Sequence, residues 1–213
     1  MAAQFPVEKR IIAGGVGGIE VALHVPGEAV ARAIAIIAHP HPLFGGSMDN
    51  KVVTTLARTM FDAGAAVFRF NFRGVGKTEG AHDEGRGETD DMLSVIAYAR
   101  TMLADPAMPL WMGGFSFGGA VALAASARTD VDQMVLVAPA FQRLSHWDRV
   151  EGGGKPPLST LLIHGEKDDT VPLADSLAWA AARDLAVTVV PEADHFFHQR
   201  LHIIKRLVQQ HLR

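Results

Sequence analysis

The 213 residues are 48% hydrophobic and 20% charged, which is enough apolar material for one substantial core and too little for two. A net charge of −3 without any basic block speaks against a nucleic-acid partner, and no apolar run approaches the ~20 residues of a membrane span. The absence of cysteine excludes disulfides, thiolate metal sites and a thiol nucleophile, and the opening residues lack the apolar stretch of a secretion signal, so the expected location is the cytoplasm.

In chain order, residues 7 to 12 and 19 to 25 read as two strands joined through Gly14, Gly15, Gly17 and Gly18, an antiparallel hairpin. From residue 33 the pattern changes. Ala33–Ala38, Ala65–Phe70, Leu110–Met112, Met134–Ala138, Thr160–Ile163 and Val187–Val190 are continuous apolar runs, as in strands buried on both faces of a parallel sheet. Amphipathic segments alternate with them. Asp49 or Asn50 can cap a helix with Val52, Val53, Leu56 and Met60 on one stripe, stopped by Gly64. Thr89 can cap a second, Pro172 opens another as its first residue, and residues 196 to 211 form the last. Together these predict one α/β domain over residues 1–213: about eight strands, mostly parallel, with helices on both faces. Residues 139 to 158, rich in glycine and proline, read as a short excursion over the sheet edge.

Leu110-Trp111-Met112 runs into Gly114-Phe115-Ser116-Phe117-Gly118 and then an alanine-rich helical stretch. In a strand–turn–helix of this G-x-S-x-G spacing, a tight turn forces the serine into positive φ and pushes its Oγ beyond the sheet. Side chains at 114 and 118 would collide with the crossing backbone. The Phe117 amide then lies at a helix N-terminus, aimed at a developing oxyanion. The commonplace alternative is a glycine-rich turn carrying a surface serine, so a base and an acid are needed near strand ends. After residues 161–163 comes His164-Gly165-Glu166-Lys167-Asp168-Asp169, and after residues 187–190 comes Asp194-His195-Phe196-Phe197-His198. The order serine, aspartate, histidine suits nucleophile, orienting acid and base.

These motifs together resemble the α/β-hydrolase superfamily along essentially the whole chain. More narrowly, Ala38-His39-Pro40-His41-Pro42-Leu43-Phe44-Gly45-Gly46 and Asn71-Phe72-Arg73-Gly74-Val75-Gly76 resemble a subgroup of small, capless bacterial hydrolases broadly similar to dienelactone hydrolases. The chain departs from the dienelactone enzymes at the nucleophile, where serine replaces their cysteine, so their reaction is not carried over. The resemblance implies an α/β-hydrolase fold and places the acid on Asp168, with Asp169 second, and the base on His195. His198 and His202 fit a solvated helix face, and His164 fits an anchor for the acid turn.

The second oxyanion donor is expected in the loop after the third strand. Pro40 and Pro42 have no amide hydrogen, leaving His41, Leu43 and Phe44, of which Leu43 is favoured because Pro42 stiffens its approach. Phe44, Phe141 and Trp147 are expected to line an apolar acyl pocket, whereas Phe115 and Phe197 fit the core. Gly74-Val75-Gly76-Lys77-Thr78 mimics a phosphate loop but lacks the glycines either nucleotide motif requires. His39 and His41 could suggest a metal, but no carboxylate stands at matching spacing, so neither metal nor cofactor is expected. The expectation is a serine esterase acting on small acyl substrates, thioesters included, through an acyl-enzyme. A small-amide hydrolase on the same residues and a non-catalytic binding protein are the competing readings. Oligomeric state is left open.

Overall fold

The computed structural model describes residues 5–27, 30–105, 107–143, 156–157 and 159–213. Strands β1 (Glu8–Ala13) and β2 (Gly18–His24) form the antiparallel hairpin, and β2 pairs antiparallel with β4 (Ala65–Phe70). The remaining strands run parallel: β3 (Ala33–Ala38), β5 (Leu110–Phe115), β6 (Gln133–Val137), β7 (Thr160–Gly165) and β8 (Val187–Val190). Their order across the eight-stranded sheet is β1-β2-β4-β3-β5-β6-β7-β8, a mixed sheet of the kind the resemblance implies. Chain reversal between β3 and β5 opens a crevice at their C-terminal ends.

Helices α1 (Lys51–Asp62) and α5 (Leu201–His211) cover one face, around Ile37, Val67, Val135 and Phe197. Helices α2 (Arg86–Leu103), α3 (Phe117–Ser126) and α4 (Leu173–Ala181) cover the other, around Phe68, Phe70, Met112 and Leu136. The central strands β3, β4 and β5 are buried at every residue, which is why they read as unbroken apolar runs.

Helix α1 starts as expected, and three other helix starts differ. Of the two proposed caps for α1, Asn50 fills the role, its Oδ1 accepting from the Val52 amide at 2.9 Å, while Asp49 pairs with Arg69. Helix α2 begins at Arg86 rather than after Thr89, because the Glu88 carboxylate reaches back to the Gly85 and Asp83 amides at 2.8 and 2.9 Å. Helix α5 begins at Leu201, not 196: Phe197 and Gln199 have φ of 54° and 60°, which no α-helix accommodates. Pro172 sits one place before α4, as its cap.

Two buried histidines make stability pH-dependent. Burial lowers His39 to a pKa of about 4, and its Nε2 accepts from the Phe72 amide at 3.0 Å, a bond that protonation would destroy. Burial, with the Arg69 guanidinium alongside, does the same to His24, also about 4. The unfolded chain protonates near the ordinary histidine value of ~6.5, so stability is complete above it and falls as pH drops from 6.5 to 4. Each group contributes at most ~3 kcal/mol of that loss. Urea midpoints should therefore fall steeply between pH 6.5 and 4, and a flat midpoint across this window would refute the assignment.

Candidate active site

Register brings the chemistry together. Ala38 pairs with Gly114, Phe115 with Val137, and Val137 with Ile163, so the loops after β3, β5 and β7 emerge side by side. Ser116 follows β5 with φ 55° and ψ −121°, and α3 starts at the next residue. A serine pays for positive φ with strain, which persists only where the surroundings enforce it. Here they do. A β-carbon at 114 would enter the Gly118 carbonyl, one at 118 would lie 2.5 Å from the Ala38 carbonyl oxygen, and the Ser116 amide donates to the Val137 carbonyl at 2.9 Å. The Phe117 amide, first in α3, has no acceptor within its helix by position.

His195 Nε2 lies 3.1 Å from Ser116 Oγ, and its Nδ1 lies 2.7 Å from Asp168 Oδ2. The other carboxylate oxygen, Oδ1, accepts from the Thr170 and Val171 amides at 2.9 and 2.8 Å. Burial opposes ionisation of Asp168, but the imidazoles of His164 and His195 and the Val171 amide outweigh it, holding the carboxyl well below the usual range. Backbone bonds from Glu166 to Val190 (3.0 Å) and from Lys167 to Ala193 (2.9 Å) zip the Asp168 loop to the His195 loop. The alternatives lie elsewhere. Asp169 is exposed, His202 is exposed on α5, and His198 is exposed and paired with Asp194 at 2.6 Å.

After β3 the chain makes a single helical turn at Pro42–Phe44. The sequence preference for Leu43 as second donor gives way here. Its amide donates back to His41 Nδ1 (3.3 Å), the Phe44 amide donates to the His41 carbonyl (3.2 Å), and the Leu43 side chain is 69% exposed outside the pocket. His41 itself lines the pocket, with its ring 4.8 Å from that of Phe117. His39 is buried, its Nδ1 2.6 Å from the Pro40 carbonyl oxygen and its Nε2 on Phe72, so it faces away from any ligand. Among the described residues no three potential metal ligands cluster.

The cavity at Ser116 and His195 is walled by Phe44, Phe117, Val171 and Phe196, with Asn50 and Thr170 as polar members. Phe44 is among the lining residues. Phe141 is not: it is buried and stacked on Trp179 at 4.4 Å, because the short helical turn at Phe141–Arg143 directs it into the core under α4. Trp147 lies outside the described residues. Sequence reasoning missed Val171, Thr170 and Asn50 as lining residues. Val171 belongs to the V-P step after Asp168 and Thr170 precedes it, a position that could have signalled both, whereas Asn50 was masked by its role as a cap.

The chain matches the alpha/beta hydrolase domain family over residues 31–210. An alpha-beta serine hydrolase homologue of Coxiella burnetii is 34% identical, with 97% of each chain covered and a TM-score of 0.86. A serine hydrolase without lid from Xanthomonas campestris is 35% identical, covering 99% of this chain and 96% of its own, with a TM-score of 0.87. An uncharacterised protein of Rickettsia prowazekii is 28% identical over 84% of this chain and 78% of its own length. No described helix is long and apolar enough to cross a membrane. With its eight-stranded sheet, its serine at a strained strand–helix turn and these relatives, the chain belongs to the alpha/beta hydrolase family, among small bacterial serine hydrolases.

Proposed function

We propose that this protein is a carboxylesterase-type serine hydrolase that cleaves small acyl esters, thioesters included, through an acyl-enzyme. The observation that carries the reading is the unbroken contact from Ser116 Oγ through His195 to Asp168. With Nδ1–H donated to Asp168, the lone pair of His195 Nε2 faces the serine hydroxyl and takes its proton as Oγ attacks the acyl carbon. Asp168 stays ionised and stabilises the imidazolium. The amides of Phe117 and His41 hold the oxyanion, His41 replacing Leu43 because the Leu43 amide is turned onto the His41 ring. The imidazolium then protonates the leaving alcohol or thiol, and water reverses the sequence to release the acid. The apolar walls of Phe44, Val171 and Phe196 suit a small hydrocarbon acyl group.

Turnover of p-nitrophenyl esters of increasing chain length tests the reading, with the matching anilides as comparison. Short esters should be cleaved well ahead of anilides; anilide turnover equal to that of the esters would instead assign an amidase. kcat/KM should rise with pH as the base loses its proton. A profile flat from about pH 5 to 8, with chemistry limiting, would remove histidine from the mechanism.

A further inference from the structure

Asp168 meets a second imidazole that the reaction above leaves unused. His164, in β7, is fully buried, with Nε2 3.0 Å from the Val171 carbonyl oxygen and 3.3 Å from Asp168 Oδ2. Its Nδ1 lies 2.9 Å from Oγ of Ser176, which is buried in α4. Carbonyl and carboxylate oxygens only accept, so Nε2 must carry a hydrogen. In a neutral ring Nδ1 is then an acceptor, and the Ser176 hydroxyl is positioned to donate to it. The single Nε2 hydrogen of His164 is thus shared between the Val171 carbonyl and Oδ2, which also accepts from His195 Nδ1, while Oδ1 stays pinned by the Thr170 and Val171 amides.

We propose that His164, fixed in its Nε2–H tautomer by Ser176, is a positioning residue that shares Asp168 Oδ2 with His195 and so sets the pH at which His195 can take a proton. The proposal rests on the relay read above. A donor on Oδ2 draws negative charge from that oxygen and weakens its hold on the His195 imidazolium. Without His164 the two amides would still hold the carboxylate in place, and His195 would keep its proton to higher pH. The other charges around this trio are directed to solvent or to one another. On the acid loop, Lys167 pairs with Glu192 at 2.5 Å, Glu166 accepts from the Glu192 amide at 3.0 Å, and Asp169 accepts from Thr170 Oγ1 at 3.2 Å. On the base loop, Asp194 pairs with His198, and on α4 the nearest carboxylate, Asp175, lies in the helix's first turn, where the helix dipole favours it.

The experiment has a spectroscopic and a kinetic arm. In ¹⁵N–¹H spectra of the intact protein, His164 should appear as the Nε2–H tautomer; an Nδ1–H signal would overturn the proposal. His164→Leu should move the kcat/KM profile up by roughly 0.5–1 pH unit, a roughly 3- to 10-fold loss of p-nitrophenyl acetate turnover on the acidic limb. His164→Gln, whose amide N–H can reach the same oxygens, should return the profile to within about twofold of wild type. A folded His164→Leu protein with an unmoved or lowered profile, or a glutamine variant as displaced as the leucine one, would overturn it. Should both fail to fold, Ser176→Ala decides alongside the tautomer, with a smaller upward shift expected and none refuting. The titration of His195, followed through its ring NMR signals in wild type and variant, needs no turnover. A wild type inert to every ester would thus sink the esterase reading while leaving this one separately testable.

Discussion

Ser116→Ala should lower kcat on short p-nitrophenyl esters by about 10⁴-fold or more, leave KM within a few-fold, and leave the protein folded. The loss corresponds to ~5.5 kcal/mol of transition-state stabilisation, the scale set by removing a nucleophile while the oxyanion amides and binding pocket remain. Stability is expected to survive because the hydroxyl bonds to His195, and the backbone bond from Ser116 to Val137 does not involve the side chain. The positive φ sharpens the test. Alanine inherits the strain of φ 55°, whereas Ser116→Gly should relieve it and raise stability by about 1 kcal/mol while being equally inactive. A fluorophosphonate should label wild type at Ser116 and neither variant. Wild-type rates in the alanine variant, or labelling at another serine, would take Ser116 out of the chemistry.

What was legible in the sequence is what depends on local pattern. Strands buried on both faces leave unbroken apolar runs, so β3 and β4 were bounded to the residue, and the G-x-S-x-G spacing marked Ser116 because only glycine tolerates the backbone crossing at 114 and 118. Asp168 and His195 were readable as candidates because a parallel sheet delivers its loops to one edge. Errors fall where tertiary contacts override local preference. Nothing near residue 196 announces that Phe197 and Gln199 adopt positive φ, yet that turn lets Phe197 enter the core while His195 faces Ser116. Thr89 has good capping chemistry, but Glu88 supplies the reach-back bonds one turn earlier. Leu43 was preferred because Pro42 stiffens its approach and Gly45 and Gly46 let the chain turn away. Its amide is instead turned by the His41 ring, a side-chain acceptor two residues away that spacing cannot orient. Phe141 and Phe44 are both aromatic residues beside a strand-end loop, and only packing against Trp179 separates core from pocket.

Asp91→Ala should cost ~3–5 kcal/mol of stability, roughly 6–20 °C in Tm for a chain of this size, the largest stability loss expected of a single side chain truncated at this edge of the sheet. Arg73, just beyond β4, forms a two-pronged pair with Asp91 of α2: Nε donates to Oδ2 at 2.9 Å and a terminal nitrogen to Oδ1 at 2.8 Å. Both side chains are buried, at 9% and 1% exposure, and the carboxylate holds the guanidinium pKa above its ordinary value. Gly87 shows how close the approach is, since a β-carbon there would run into the guanidinium. Truncating Asp91 strands a buried cation, and that uncompensated charge is the main cost, more than the lost attraction. Replacing both partners together, Arg73→Met with Asp91→Leu, should therefore recover most of the loss. The pair also ties α2 to the loop carrying His82, whose ring lies 4.8 Å from that of His41 and 5.5 Å from that of Phe117. Urea denaturation of the two variants separates the possibilities. If the double variant is as unstable as Asp91→Ala, the pair contributes through its own attraction and geometry, and the desolvation argument fails.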